Sequence, residues 1–184
     1  MELAFKGITK RQFQYSFVMM PKSEMEAEQV EAIVKKHKPD AIGLQETKVH
    51  DDDFPYEIPE SLGYKAHIHG QKGHYGVAIL TKEEPLNINK GFETDNDESQ
   101  KRFISVTLKK GRKKIHILNG YFPQGEEREH PVKFPYKVKF YKDLITHLQK
   151  NYDSKDHLIV MGDLNISPQD IDCLLYTSDA ADEG

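Results

Sequence analysis

The feature that most constrains this chain is a pattern over residues 23–172. Short apolar runs of strand length end on polar or acidic residues, and stretches of helical periodicity lie between them. Ala41-Ile42-Gly43-Leu44-Gln45 is the clearest run, and Glu46 follows directly at its carboxyl end. Such a run, apolar on both faces, is built for a strand buried on both sides. Further strands are expected at Tyr64–His69, Tyr75–Thr81, Phe103–Leu108, Ile115–Tyr121 and Leu158–Gly162. Lys109-Lys110-Gly111-Arg112-Lys113-Lys114 lies between two of them and reads as a hairpin turn with solvated charge.

Two helices are expected. Ser23 and Glu26 have capping-box spacing, Ala27, Val30, Ile33, Val34 and His37 fall on one face, and Pro39 stops the helix. The second runs through Lys137–Lys150, with Val138, Tyr141, Leu144, Ile145 and Leu148 as its apolar stripe. Helices interleaved with antiparallel-looking strands point to an α/β sandwich, sheet packed on helix. Residues 1–22 show neither clean alternation nor a helical period, and residues 173–184 form a tail of different texture. The expected division is therefore 1–22, 23–172 and 173–184.

Composition sets the outer bounds. The chain has 184 residues, enough for one domain and short for two. Lys and Arg number 26 against 30 Asp and Glu, for a formal net charge of −4. That balance says little about partners, because an acidic protein can carry a local basic groove. No stretch has the roughly 18–20 apolar residues of a membrane span, and no secretory pattern opens the chain. Cys173 is the only cysteine, which excludes an internal disulfide framework and a thiolate metal cluster. A reducing, cytoplasmic setting is the expectation.

The residues with chemical potential lie just past strand ends, where a rigid sheet can hold polar groups together. Glu46 follows one strand, Tyr121 ends another, and Asp163 and Asn165 follow a third. Two carboxylates and an amide are hard oxygen donors, suited to Mg²⁺ or Mn²⁺ rather than to structural zinc. Each residue also has a plainer reading. A Glu after a strand is commonly a solvated loop residue, Asp and Asn are turn formers, and a lone Tyr is commonly a core aromatic. His67 and His69 alternate along a strand without a third partner and read as core or surface histidines. The acidic run Glu93–Glu98 reads as a solvated loop, without the glycine and terminal glutamate of a calcium loop.

Several blocks together resemble the exonuclease III family of the endonuclease/exonuclease/phosphatase superfamily. They are Ile42-Gly43-Leu44-Gln45-Glu46-Thr47-Lys48 with His50-Asp51-Asp52, Gly70-Gln71-Lys72-Gly73-His74-Tyr75-Gly76-Val77-Ala78, and Asn119-Gly120-Tyr121-Phe122-Pro123-Gln124-Gly125. Arg128, His130-Pro131, Lys133-Phe134-Pro135 and Met161-Gly162-Asp163-Leu164-Asn165-Ile166-Ser167-Pro168 complete the match, which covers about residues 28–172. The Gly-Asp-x-Asn element is shared across the superfamily, whereas the Tyr-Phe-Pro-Gln-Gly block is more specific to this branch.

The resemblance implies a four-layered, DNase I-like α/β sandwich, here incomplete and lacking its C-terminal part. It implies divalent-metal-dependent hydrolysis of DNA phosphodiesters by a monomer, using Mg²⁺, with Mn²⁺ as the alternative. Its substrates would be 3′ ends of duplex DNA and abasic sites. Carried over residue by residue, Glu46 would bind the metal, and Asp163 would orient or deprotonate the attacking water. Asn165 would support the metal or the scissile phosphate, and Tyr121 would contact that phosphate through its hydroxyl. Lys133 would hold substrate phosphate, and Gln124 and Gly125 would shape the substrate loop.

The pattern also breaks in two places. The family opens with a strand ending in an Asn motif, and residues 1–22 lack it; Val18-Met19-Met20 follows Tyr15-Ser16-Phe17 instead. The family also carries a further carboxylate and a Ser-Asp-His element beyond the equivalent of residue 172. The tail Cys173–Glu183 instead resembles a translated sequencing adapter. The expectations are an apolar face left uncovered, poor solubility and no nuclease activity from this chain alone. Two rival readings are a superfamily phosphatase acting on inositol phosphates or lipids, and a nucleic-acid-binding module without catalysis. The second would use Lys133, Lys137, Lys139 and Lys142 interleaved with Phe134, Tyr136, Phe140 and Tyr141. The plainer reading of that stretch is a helix with a solvated lysine face.

Overall fold

In the computed structural model, the backbone is described for residues 15–19 and 24–166, and side chains for residues 30–166. In chain order the elements are β1 (Tyr15–Met19), α1 (Glu24–His37), β2 (Ala41–Gln45), a 3₁₀ turn at Asp51–Asp53, α2 (Glu57–Ser61), β3 (Lys65–His69) and β4 (Val77–Thr81). Then follow β5 (Asn87–Lys90), β6 (Phe103–Lys110), β7 (Lys113–Tyr121), α3 (Lys133–Asn151) and β8 (His157–Asp163).

The strands form two four-stranded sheets, ordered β1-β2-β4-β3 and β5-β6-β7-β8. Both are mixed: β1 runs parallel to β2 and β7 parallel to β8, while the other pairs are antiparallel. Three apolar layers separate four structural layers. Between the sheets lie Ala41, Val77 and Ile79 from one and Ile104, Val106, Leu108, Ile115, Ile117, Ile159 and Met161 from the other. On the outer face of the first sheet, Ile42, Leu44, Ile68, Ala78 and Leu80 pack with Phe54, Tyr64 and Val34 of α1. On the outer face of the second, Phe92, Phe103, Leu118 and Phe122 pack against Phe140 and Leu144 of α3. The order helix, sheet, sheet, helix is the expected four-layered sandwich.

Strand alternation explains which residues reach the seam between the sheets. In β2, Ala41, Gly43 and Gln45 face the second sheet. Gly43 is required there, because a Cβ would stand 2.7 Å from Met161 Cε and 2.8 Å from Asn119 Oδ1. In β7 and β8, Asn119 pairs with Met161 and Tyr121 with Asp163, so the polar ends of both strands emerge side by side.

Several expectations need correction. Tyr15–Met19 forms a strand within the stretch that showed no period, because pairing with β2 supplies what its own pattern lacks. β5 and α2 have no counterpart in the sequence reading: β5 is a short edge strand and α2 a single short turn of helix around Pro59. The strand expected from Tyr75 begins at Val77, since Tyr75 (φ 56°) and Gly76 (φ 86°) turn sharply. His37, placed on the apolar face of α1, is exposed. Ser23 of the expected capping box lies outside the described residues.

α3 begins four residues earlier than expected, at Lys133, because Pro135 falls within its first turn, where proline is tolerated. Its buried face is Phe140, Leu144 and His147. Val138 and Ile145, expected in the stripe, are exposed. Nor is an uncovered apolar face seen among the described residues. The exposed large apolar side chains are Tyr56, Leu86, Ile88, Val132, Val138, Ile145 and Ile166, and Ile88 alone of these lies on a strand. No helix is long and apolar enough to cross a membrane among the described residues.

Candidate active site

At one end of the sandwich the seam between the sheets becomes polar. Its floor is a buried amide pair: Gln45 Nε2 donates to Asn119 Oδ1 at 2.5 Å. Asn119 Nδ2 in turn donates to the carbonyls of Leu44 and Ala78, both at 2.9 Å. Both side chains are fully buried. One amide thus links β7 to two strands of the facing sheet, fixing the offset between the sheets where the chemistry-bearing residues emerge.

Above this floor, Tyr121 Oη donates to Glu46 Oε1 at 2.8 Å, a bond from the second sheet to the first. Burial, and next the bond and charge of Glu46, push the phenol up to about 12, so at neutral pH it is a hydrogen-bond donor. Lys48 Nζ lies 2.5 Å from the other oxygen of the same carboxylate. On the adjoining strand end, Asp163 Oδ1 accepts from the backbone of Asn165 at 3.1 Å, and Oδ2 accepts from its side-chain Nδ2 at 3.2 Å. That nitrogen also donates to Phe122 O at 2.7 Å, and Phe122 N donates to Asp163 O at 2.9 Å, tying the β7 and β8 exits together.

The backbone here is strained. Glu46, Lys48, Tyr75 and Asn165 all have positive φ, between 48° and 57°. Non-glycine residues in this region cost about 1–3 kcal/mol each and cluster where the surrounding structure holds a functional geometry. Here the surroundings are visible: Thr47 N bonds Gly76 O at 3.2 Å, Lys48 N bonds Tyr75 O at 2.9 Å, and Gly73 N bonds Lys48 O at 2.8 Å. Gly76 allows the close approach, since a Cβ there would stand 2.0 Å from Thr47 Oγ1.

Of the residues singled out in the sequence, Glu46, Tyr121, Asp163 and Asn165 come together. Asn165 reaches Asp163 through its nitrogen rather than its oxygen, so in this arrangement it holds the carboxylate in place. Gln124 contributes through its backbone, accepting from Lys137 Nζ at 2.9 Å, while its side chain is exposed. Gly125 (φ 83°) packs on Lys137, where a Cβ would meet the lysine Cδ at 2.6 Å. Lys133 is not joined to the Glu46–Tyr121–Asp163 group: its ammonium pairs with Glu126, whose other oxygen lies 3.4 Å from His130 Nε2.

Arg102 is a site residue that the sequence reading missed. Its guanidinium lies between the rings of Tyr75 and Tyr121, at 4.1 and 4.6 Å from their centroids, and donates to Tyr121 O at 3.0 Å. It holds the tyrosine by stacking as well as by hydrogen bonding. The one available signal was an arginine at the start of an otherwise apolar strand, a weak one.

The donor chemistry fits a hard divalent cation. Mg²⁺ is commonly held by one or two carboxylates plus water, and Glu46 and Asp163 supply carboxylates at adjacent strand ends. The Glu46 carboxylate already draws the Lys48 ammonium. Among the described residues no group of three or more His, Cys, Asp or Glu side chains converges as a ready-made cage.

Comparison with known proteins agrees with this picture. The chain is 56% identical over 144 residues to exodeoxyribonuclease III of Haemophilus influenzae, a match covering 78% of this chain and 54% of that protein. It is 30% identical over 141 residues to the DNA-(apurinic or apyrimidinic site) endonuclease of Dictyostelium discoideum, covering 76% of this chain and 37% of that one. The chain thus spans about half the length of the first relative and little over a third of the second.

Among solved structures, an AP endonuclease from Archaeoglobus fulgidus superposes with a TM-score of 0.75 at 29% identity, covering 86% of this chain and 60% of that one. A variant of the Neisseria 3′ phosphatase NExo, bound to a product DNA hairpin, gives 0.75 at 27% identity, covering 88% and 61%. The profile described as the Endonuclease/Exonuclease/phosphatase family matches residues 21–182. With the sandwich, the site at its polar end and this match in agreement, the chain belongs to the endonuclease/exonuclease/phosphatase family.

Proposed function

We propose that this chain supplies the first half of a DNA-repair nuclease that hydrolyses phosphodiesters at abasic sites and at 3′ ends of duplex DNA. The observation that carries the reading is the Tyr121–Glu46 hydrogen bond beside the Asp163–Asn165 pair, which draws donors and carboxylates from both sheets to one point. The exodeoxyribonuclease and apurinic-site endonuclease names of its relatives support the substrate class.

In hydrolysis, water oxygen bonds to phosphorus, the bond from phosphorus to the sugar oxygen breaks, and that oxygen takes a proton. Asp163, oriented by Asn165, is set to align the water and accept its proton. Tyr121, protonated at neutral pH, donates a hydrogen bond to a phosphate oxygen once substrate replaces Glu46 as its partner. Glu46, with Asp163 and Asn165, would hold Mg²⁺ or Mn²⁺. A bound divalent cation supplies positive charge against the anionic phosphodiester. Arg102 keeps the Tyr121 ring in place, and Lys133 binds a flanking phosphate of the duplex. The protein acts as a cytoplasmic monomer.

The test is a cleavage assay on an abasic duplex, using the chain extended by the C-terminal part of its Haemophilus relative. Metal-dependent incision, lost in Glu46→Ala with duplex binding retained, is the expected result. Cleavage of inositol phosphate in preference to DNA would favour the phosphatase reading. Binding without cleavage in every form would favour a non-catalytic module.

A further inference from the structure

Lys137 stands apart from the ion-paired lysines of α3. Lys133, Lys139 and Lys150 each pair with a carboxylate, of Glu126, Asp143 and Glu93 respectively. Lys137 instead donates to two backbone carbonyls, Gln124 O at 2.9 Å and Asn165 O at 2.8 Å. These belong to two different loops, the exits of β7 and β8, which carry Tyr121 and Gln124 on one side and Asp163 and Asn165 on the other. One helical turn on, Tyr141 Oη donates to Leu164 O at 2.7 Å, so α3 holds consecutive carbonyls of the β8 exit. The stem of Lys137 lies against Gly125, where no side chain fits.

An ammonium carries three donors and no acceptor, and its bonds to carbonyls are charge-assisted. One side chain therefore sets the spacing of the two loops. Asn165 at φ 48° is the residue most in need of this, being held by Asp163 at its N–H, Phe122 at its side chain and Lys137 at its carbonyl.

We propose that Lys137 is a positioning residue for the reaction: by bonding the carbonyls of Gln124 and Asn165 it fixes the Asp163–Asn165 pair against the Tyr121 loop. Its catalytic meaning rests on the nuclease reading above, but the mechanical claim is tested separately.

The experiment compares unsubstituted chain, Lys137→Met and Lys137→Arg in the full 184-residue form by amide hydrogen exchange, with Mn²⁺ line broadening as a second readout. Methionine keeps the stem and removes both bonds. The expected result is a rise of ~10-fold in exchange at Asn165 and Phe122. Amides of β2 and β4 stay unchanged, and Lys137→Arg restores most of the protection. Exchange unchanged at Asn165 overturns the proposal, as does a rise shared equally by all strands, which marks a merely structural residue. Tyr141→Phe removes the neighbouring tie and gives the same local pattern in milder form, so poor folding of Lys137→Met still leaves a decision. Broadening centred on Glu46 and Asp163, weakened in Lys137→Met, is expected under the nuclease reading. Its absence from the unsubstituted chain counts against that reading, while the exchange comparison still decides the role of Lys137.

Discussion

Tyr121 and Glu46 lie 75 positions apart in the chain, and the tyrosine hydroxyl donates to the glutamate carboxylate at 2.8 Å across the seam of two sheets. Burial and this bond push the phenol up to about 12. A folded-state value raised above the unfolded one favours the fold below about pH 10, and that contribution is lost as pH rises through 12. Tyr64 and Tyr141 are pushed up to about 12 as well, chiefly by burial. Spectrophotometric titration should therefore show a late group of phenols, and Tyr121→Phe should remove one member. In the extended enzyme the same substitution should lower kcat on an abasic duplex by about 10²–10³, as loss of one donor to a developing oxyanion does elsewhere. An unchanged kcat would remove Tyr121 from the chemistry.

The amide floor predicts a stability effect. Asn119→Ala strips a partner from Gln45 Nε2 and from the carbonyls of Leu44 and Ala78 at once. Leaving a buried polar group unpaired costs about 1–3 kcal/mol, so a loss of about 3 kcal/mol or more in urea unfolding is expected. A loss below about 1 kcal/mol would show that the sheets do not depend on this link.

Much of the fold was legible because its signals are local. β2 is buried on both faces and reads as a continuous apolar run. The β6–β7 hairpin is marked by Gly111 (φ 62°) among solvated charges. α3 was legible in place and in part of its stripe: Tyr141, Leu144 and Leu148 pack inward, whereas Val138 and Ile145 do not. Val138 and Ile145 look equal to Phe140 and Leu144 in a hydrophobic count, and the aromatic cluster of Phe92, Phe103 and Phe122 decides which face turns inward. β5 and β1 depend on pairing with neighbours, which leaves little trace in their own residues. The meeting of Glu46, Tyr121, Asp163 and Asn165 followed from their places at strand ends. Arg102 and Lys137 did not, because they act through neighbours brought close by the fold.

Lys133 is engaged with Glu126 rather than waiting open for phosphate, and Glu126 itself sits at φ 52°. Binding duplex DNA through Lys133 must break that pair. Glu126→Gln removes the competing charge and should tighten DNA binding a few-fold at low salt, because a solvent-exposed pair holds its lysine only weakly. The gain should fade as salt rises. Weaker binding on removing the carboxylate would show that Glu126 supports the DNA surface instead.

Acid should destabilise the chain before its carboxylates titrate. His67, His69, His116 and His147 are all held below the usual histidine range, in each case chiefly by burial, and His69 is brought down to about 4. For His69 the charges of Lys101 and Lys90 add to the effect, while Asp51 opposes it. The unfolded chain takes up protons on these imidazoles near pH 6.5, whereas folded His69 resists until about pH 4. The stabilising difference is thus present above pH 6.5 and lost as pH falls through 4. Burial alone would raise Asp51, but its bonds from Lys90 and Gly70 outweigh that and hold it low, which adds to the acid loss below the carboxylate range. Thermal unfolding followed from pH 7.5 to 4 should show a steady fall in Tm beginning near 6.5. His69→Gln, which keeps a polar side chain but cannot take the proton, should flatten that fall. An identical slope in the variant would shift the acid sensitivity to the remaining buried histidines, and a Tm independent of pH across the range would mean that none of them is kept neutral by the fold.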